Sequence, residues 1–135
     1  MIRLFIALLI PDEIQSRLIN QCKNIFTDYT LYQWEKKEKI HLTLKFIGGF
    51  AESKLSALID ELSFLEEVKQ FKCSLAGLGF FYNNDEPKIL WAGLNTENRL
   101  IHLIDNLNSR LEKFKIRPDK RKFKPHITLL RIKKN

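Results

Sequence analysis

The chain reads as a domain of mixed helices and strands built from two related halves, and three observations point that way. The order strand, helix, histidine strand occurs twice within 135 residues. The two passages are nearly equal in length, with 39 positions from Ile2 to His41 and 37 from Ile89 to His126. Each closes on a His-x-Thr-Leu pattern, His41-Leu42-Thr43-Leu44 and His126-Ile127-Thr128-Leu129, in a chain holding only three histidines.

The elements follow from periodicity. Leu4 to Ile10 is an apolar run in the opening strand, Ile2 to Leu9; Pro11-Asp12-Glu13 then starts a helix over Asp12 to Phe26, with Ile14, Leu18, Cys22 and Ile25 at helical spacing. Ile40 to Ile47 is rich in β-formers and is closed by Gly48-Gly49 as a turn signal. A second helix from about Ser53 to Val68 carries Leu55, Leu58, Leu62 and Leu65 on one stripe, and a strand follows from Phe71 to Leu78. Gly79 opens a loop, and the turn formers Asn83-Asn84-Asp85-Glu86-Pro87 precede a strand over Lys88 to Leu94. A third helix bears Leu100, Ile104, Leu107, Leu111 and Phe114, and His126 to Ile132 is the last strand.

Length and 44% hydrophobic content suit one domain over residues 1–135, with halves at about 1–50 and 71–135. The apolar start lacks a small-residue cleavage site, and nothing approaches the roughly eighteen uninterrupted apolar residues of a membrane span. Cys22 and Cys73 have neither metal nor redox spacing. A soluble, cytoplasmic protein is the expectation. The net charge of +7 is uneven: residues 110–135 hold 11 Lys or Arg against 2 acids. Lys120-Arg121-Lys122 and Lys124 run directly into His126, a basic approach suited to phosphates.

The motif spacing has a physical use. Residues two apart on a strand face the same way, about 6–7 Å apart, so each motif offers a His-Thr face. Simple alternation turns Leu42, Leu44 and Phe46 to the opposite face, with Ile127 and Leu129 in the second strand. Two histidines in one cleft can hold complementary protonation states, which suits taking a proton from a nucleophile and giving one to a departing oxygen at phosphorus. The hydroxyls of Thr43 and Thr128 can donate to non-bridging phosphate oxygens. His102, on a helix and without a companion motif, reads as structural or exposed. A zinc site lacks its third and fourth ligands, and no serine or cysteine nucleophile pattern appears, so neither a metal nor another cofactor is expected.

With these residues in place, the chain resembles the two-histidine phosphoesterase family, particularly the bacterial and archaeal RNA 2′,3′-cyclic phosphodiesterases, historically called 2′-5′ RNA ligases. The matching segments are Arg3-Leu4-Phe5-Ile6-Ala7-Leu8, Ile40-His41-Leu42-Thr43-Leu44-Lys45-Phe46-Ile47-Gly48, Gly77-Leu78-Gly79-Phe80, Ile89-Leu90-Trp91-Ala92-Gly93-Leu94, and Phe123-Lys124-Pro125-His126-Ile127-Thr128-Leu129-Leu130-Arg131. The resemblance implies a bilobal α+β fold, two antiparallel sheets lining a central cleft with helices outside. It implies metal-independent hydrolysis of an RNA or nucleoside 2′,3′-cyclic phosphate to a 2′-phosphate. His41 would protonate the departing 3′ oxygen, His126 would activate water, Thr43 and Thr128 would grip the phosphate, and Arg131 would contact it.

Alternation places Arg131 on the face opposite His126, a tension that a bulge or bend would resolve. Lys45 has the parity of His41 and is a candidate substrate contact. Phe80, Phe81 and Trp91 can stack on a base, though core packing is the preferred reading of each. Family members usually continue beyond the second motif, whereas this sequence stops at Lys133-Lys134-Asn135. The expectation is an open sheet edge, either discouraged from pairing by the lysines or used for association, with a monomer favoured. Two other functions stay open: a non-catalytic module binding RNA ends or nucleotides, and 2′-5′ RNA joining through the same site.

Overall fold

Alternating apolar residues at Ile2, Leu4, Ile6 and Leu8 set the first strand with one face inward, and the rest of the sheet follows from that face. The structure is a computed structural model that describes residues 1–25, 32–70 and 72–132. The elements are β1 (Ile2–Leu9), α1 (Asp12–Ile25), β2 (Gln33–Trp34), β3 (His41–Phe50), α2 (Leu55–Glu61), β4 (Cys73–Asn83), β5 (Glu86–Thr96), α3 (Asn98–Leu111) and β6 (His126–Arg131). The expected helix end at Phe26, the strand start at Phe71, and Lys133 and Lys134 lie outside the described residues.

The α+β class stands. The strands form an antiparallel sheet in the order β1-β3-β6-β5-β4, with β2 beside β6. Its two parts, β1-β3 and β6-β5-β4, meet between β3 and β6 at the single pair Leu42↔Ile127. The described edges of this path are therefore β1 and β4.

The helices cover one face of the sheet and interlock its two parts. Leu18 and Cys22 of α1 pack with Leu90, Ala92, Ile127, Leu129 and Leu130 from β5 and β6. In return Leu100, Leu103, Ile104 and Leu107 of α3 pack with Leu42 and Leu44 of β3, alongside Ile6 and Leu8 of β1. Each helix thus crosses from the strand before it to the other part of the sheet. At roughly 1.5–3 kcal/mol for each fully buried Leu or Ile side chain, these two layers dominate the stabilisation. Phe50, Leu58 and Leu111 close a third cluster under α2. Gln15 is the polar member of α1 in this layer, and its Nε2 donates to the Ile40 carbonyl at 2.8 Å, fixing α1 at the threshold of the first motif.

Three local expectations change. Gly48-Gly49 does not end β3: Gly48 takes φ +81, Ile47 is left over as a bulge between the pairs Leu4↔Gly48 and Phe5↔Phe46, and pairing runs on to Phe50. Gly79 lies inside β4, paired with Trp91, and the hairpin turns instead at Asn84 and Asp85, whose φ values of 52 and 62 suit a two-residue turn. The expected second helix becomes α2 followed by a 3₁₀ segment over Leu62–Glu67.

Candidate active site

In both motifs the leucine of His-x-Thr-Leu is an extra residue in its strand. In β3 the register passes from Ala7↔Thr43 to Ile6↔Lys45, leaving Leu44 without a partner. In β6 it passes from Trp91↔Thr128 to Leu90↔Leu130, leaving Leu129 over. Both leucines are buried. A bulge of one residue inverts the facing of everything after it.

Inversion decides where four residues point. Arg131, paired with Ile89, returns to the face of His126 and Thr128, as a bulge was expected to arrange. Leu130 stays in the core. In β3 the same step corrects two expectations: Lys45 turns to the helix-covered side, 3% exposed, and Phe46 turns to the His41 face, 57% exposed. Lys45 is therefore no neighbour of His41 and Thr43. Its Nζ donates to the Arg117 carbonyl at 2.8 Å and lies 3.5 Å from Asp119 Oδ2.

The pair Leu42↔Ile127 brings the motifs together. Extending that antiparallel register by one residue each way sets His41 against Thr128 and Thr43 against His126. All four side chains share the face that the helices leave open. On a regular ladder the diagonal between the two histidine positions is about 7–8 Å, a span for an anion seated between two imidazoles.

The two histidines have different surroundings. His41 stacks on Phe5, with ring centroids 5.1 Å apart and planes at 20°. His126 Nδ1 lies 2.7 Å from the Lys124 carbonyl oxygen. A carbonyl only accepts, so Nδ1 carries the hydrogen and Nε2 is left to present its lone pair in the neutral ring. The His126 ring also meets Phe81 edge-on at 5.1 Å and Trp91 at 6.2 Å. Trp91 has Lys124 Nζ over its ring at 4.6 Å, while Phe81 and Trp91 lie 5.3 Å apart. Phe81 and Trp91 therefore wall the second histidine, and Phe80 packs against the core. His102 is exposed on α3.

Sequence reasoning missed β2 and Glu35. The two-residue strand pairs Gln33↔Arg131 and Trp34↔Leu130, and the Glu35 backbone N–H donates to the carbonyl of the bulged Leu129 at 2.9 Å. The Arg131 Nε in turn donates to Glu35 Oε1 at 2.9 Å. Two residues give no periodicity to read, so only the lone acid before Lys36-Lys37 hinted at a partner.

Arg117, Lys120, Arg121, Lys122 and Lys124 of the basic approach are exposed. Among the described residues no three His, Cys, Asp or Glu side chains are grouped to hold a metal ion, and no helix is long and apolar enough to cross a membrane.

An open sheet face carrying two register-matched His-x-Thr strands, flanked by helices on the reverse side, defines a two-histidine phosphoesterase. The chain belongs to the 2′5′ RNA ligase-like family: the family model described as AKAP7 2′5′ RNA ligase-like domain matches residues 5–135. An RNA 2′,3′-cyclic phosphodiesterase of Archaeoglobus fulgidus is 32% identical over 132 residues, covering 98% of this chain and 73% of that one. Among solved structures, TT0787 of Thermus thermophilus superposes with a TM-score of 0.81 at 25% identity, covering 96% of this chain and 74% of that one. Escherichia coli LigT complexed with 3′-AMP gives 0.75 at 28% identity, with 96% and 72% covered.

Proposed function

We propose that the chain hydrolyses a 2′,3′-cyclic phosphate at an RNA or nucleoside end to a 2′-phosphate, without a metal. The observation that carries this reading is the Leu42↔Ile127 register, which sets both His-Thr pairs on one open face. In the proposed reaction a water oxygen attacks phosphorus and His126 Nε2 takes its proton. The bond from phosphorus to the 3′ oxygen breaks in line, and His41 gives that oxygen a proton. A 3′ hydroxyl and a 2′-phosphate leave.

The Lys124 carbonyl supports the base role of His126, because it fixes the tautomer and favours the imidazolium formed as the ring gains a proton. Thr43 and Thr128 donate to the non-bridging oxygens as charge builds on them. Arg131 bonds Glu35 through Nε, which leaves the Nη edge of its guanidinium for phosphate. The nucleotide complex of the LigT relative and the name of the Archaeoglobus relative favour the same substrate class.

We read residues 1–50 and 71–135 as related halves of one domain. The support is positional: 85 residues separate His41 from His126, and 84 separate their partners Leu9 and Gly93. We read the protein as a monomer acting on RNA ends, and place it in the cytoplasm, where the free thiols of Cys22 and Cys73 suit a reducing compartment.

The test is an oligonucleotide ending in a 2′,3′-cyclic phosphate, incubated with the protein in chelator. A 2′-phosphate end should form, and His41→Ala and His126→Ala should each lower the rate roughly 10²–10⁴-fold. Full activity in both variants would remove the assignment.

A further inference from the structure

Glu35 places a fixed negative charge directly behind the arginine of the candidate phosphate site. Its backbone is held by the bond to the Leu129 carbonyl and by the adjoining β2 pairing of Gln33 and Trp34 with Arg131 and Leu130. Its side chain is 15% exposed, so its charge is only partly screened, whereas that of Arg131 is 61% exposed toward the open face. The guanidinium is pinned at Nε, and an anion at its outer edge meets a nearly neutral ion pair rather than a free cation.

We infer that Glu35 is a specificity-determining residue that biases the site toward monoanionic phosphodiesters and against dianionic phosphomonoesters. The inference rests on the reading of this face as the phosphate site. A cyclic phosphate has a single ionised oxygen and carries one negative charge. The 2′-monoester made from it carries about −1.5 to −2 at neutral pH. Coulomb repulsion scales with the ligand's charge, so Glu35 disfavours product more than substrate. The exposed Lys120, Arg121, Lys122 and Lys124 pull in the opposite direction and would retain a dianion. Glu35 thus lets a basic approach collect RNA ends while the spent end departs.

Kinetics of Glu35 variants test the idea on the full chain. Adenosine 2′,3′-cyclic phosphate gives KM, and adenosine 2′-monophosphate gives the product inhibition constant. Glu35→Gln keeps an oxygen acceptor for Arg131 Nε and removes the charge. It should lower the ratio of product inhibition constant to KM by about three- to ten-fold at low salt, the size of one charge acting over several ångströms in a partly solvated site. Glu35→Asp, which keeps the charge, should hold the ratio near wild type. In an Arg131→Gln background, Glu35→Gln should change the ratio less.

An unchanged ratio in Glu35→Gln, with hydrolysis intact, overturns the inference and leaves the proposed reaction standing. Absence of hydrolysis by the wild-type protein overturns the reaction instead. The same ratio is then read from calorimetric dissociation constants of the two nucleotides, and the same criterion decides.

Discussion

Lys45 Nζ donates to the carbonyl oxygen of Arg117 at 2.8 Å, so the strand of the first motif holds the segment that leads into the second. The ammonium is almost wholly buried and its carboxylate neighbour, Asp119, is mostly exposed. A buried cation without these acceptors would be costly, which makes this bond a structural strut. Lys45→Ala should cost about 2 kcal/mol in urea unfolding, as expected for a hydrogen bond to a charged group plus the lost packing of its stem. Lys45→Met should recover much of that loss. Were Lys45 a substrate contact, both variants would raise KM with stability unchanged.

The bulges make a sharper prediction. Leu129→Ala removes a buried side chain from the layer under α1 and should cost roughly 2–5 kcal/mol. Deleting Leu129 outright removes the bulge and leaves Thr128, Leu130 and Arg131 in plain alternation, so Arg131 keeps the face of His126. The deletion protein and Leu129→Ala should therefore both be destabilised and both keep measurable activity below their lowered unfolding temperatures. Thermal melts alongside cyclic phosphate assays check this, and loss of turnover in the folded deletion protein would contradict it.

Gly79 is fixed by the indole that faces it. A Cβ there would stand 2.5 Å from Trp91 Cζ2 and 2.8 Å from Cη2, both in a rigid ring. Gly79→Ala should push the indole from its place beside His126, costing about 1–3 kcal/mol by overpacking. The fluorescence of Trp91 and the value of kcat should change together; an altered kcat with an undisturbed emission spectrum would contradict this coupling.

Acid stability has a defined source between α2 and α3. Hydrogen bonding from Lys113 and the charges of Lys113 and Arg110 hold the Glu61 carboxyl below its ordinary value of 4.5, against a smaller opposing desolvation. The Lys113 bond is 2.9 Å and the Arg110 bond 3.3 Å, with Arg110 also 4.0 Å above the Phe64 ring. A depressed folded value contributes stability that is present above pH 4.5 and is lost as pH falls through the folded value. The difference in melting temperature between wild type and Glu61→Gln should therefore be seen at about pH 7 and shrink below pH 4.5.

Much of the sheet was legible because its strands obey period two and its helices carry clear apolar stripes. Alternation alone places His41 with Thr43, and His126 with Thr128, on one face of each strand, since no bulge falls between the members of either pair. Beyond each threonine alternation failed, and Lys45 and Phe46 were assigned to the wrong sides. A bulge depends on how two strands pair, and one strand's composition carries no record of it. Glu35 was hidden for a related reason: β2 is two residues long, and its role exists only against β6.

The unpaired leucines also determine where the two halves are free to differ. After the inversion, the next position to meet the open face is five residues beyond each histidine. One half has Phe46 there, the other Arg131. Within the two motif strands the open-face residues up to that point, His and Thr, are duplicated, so the strands themselves first part company on this face at that single step. An aromatic ring lies on one bank and a guanidinium on the other, and a ligand entering this groove meets two unlike ends.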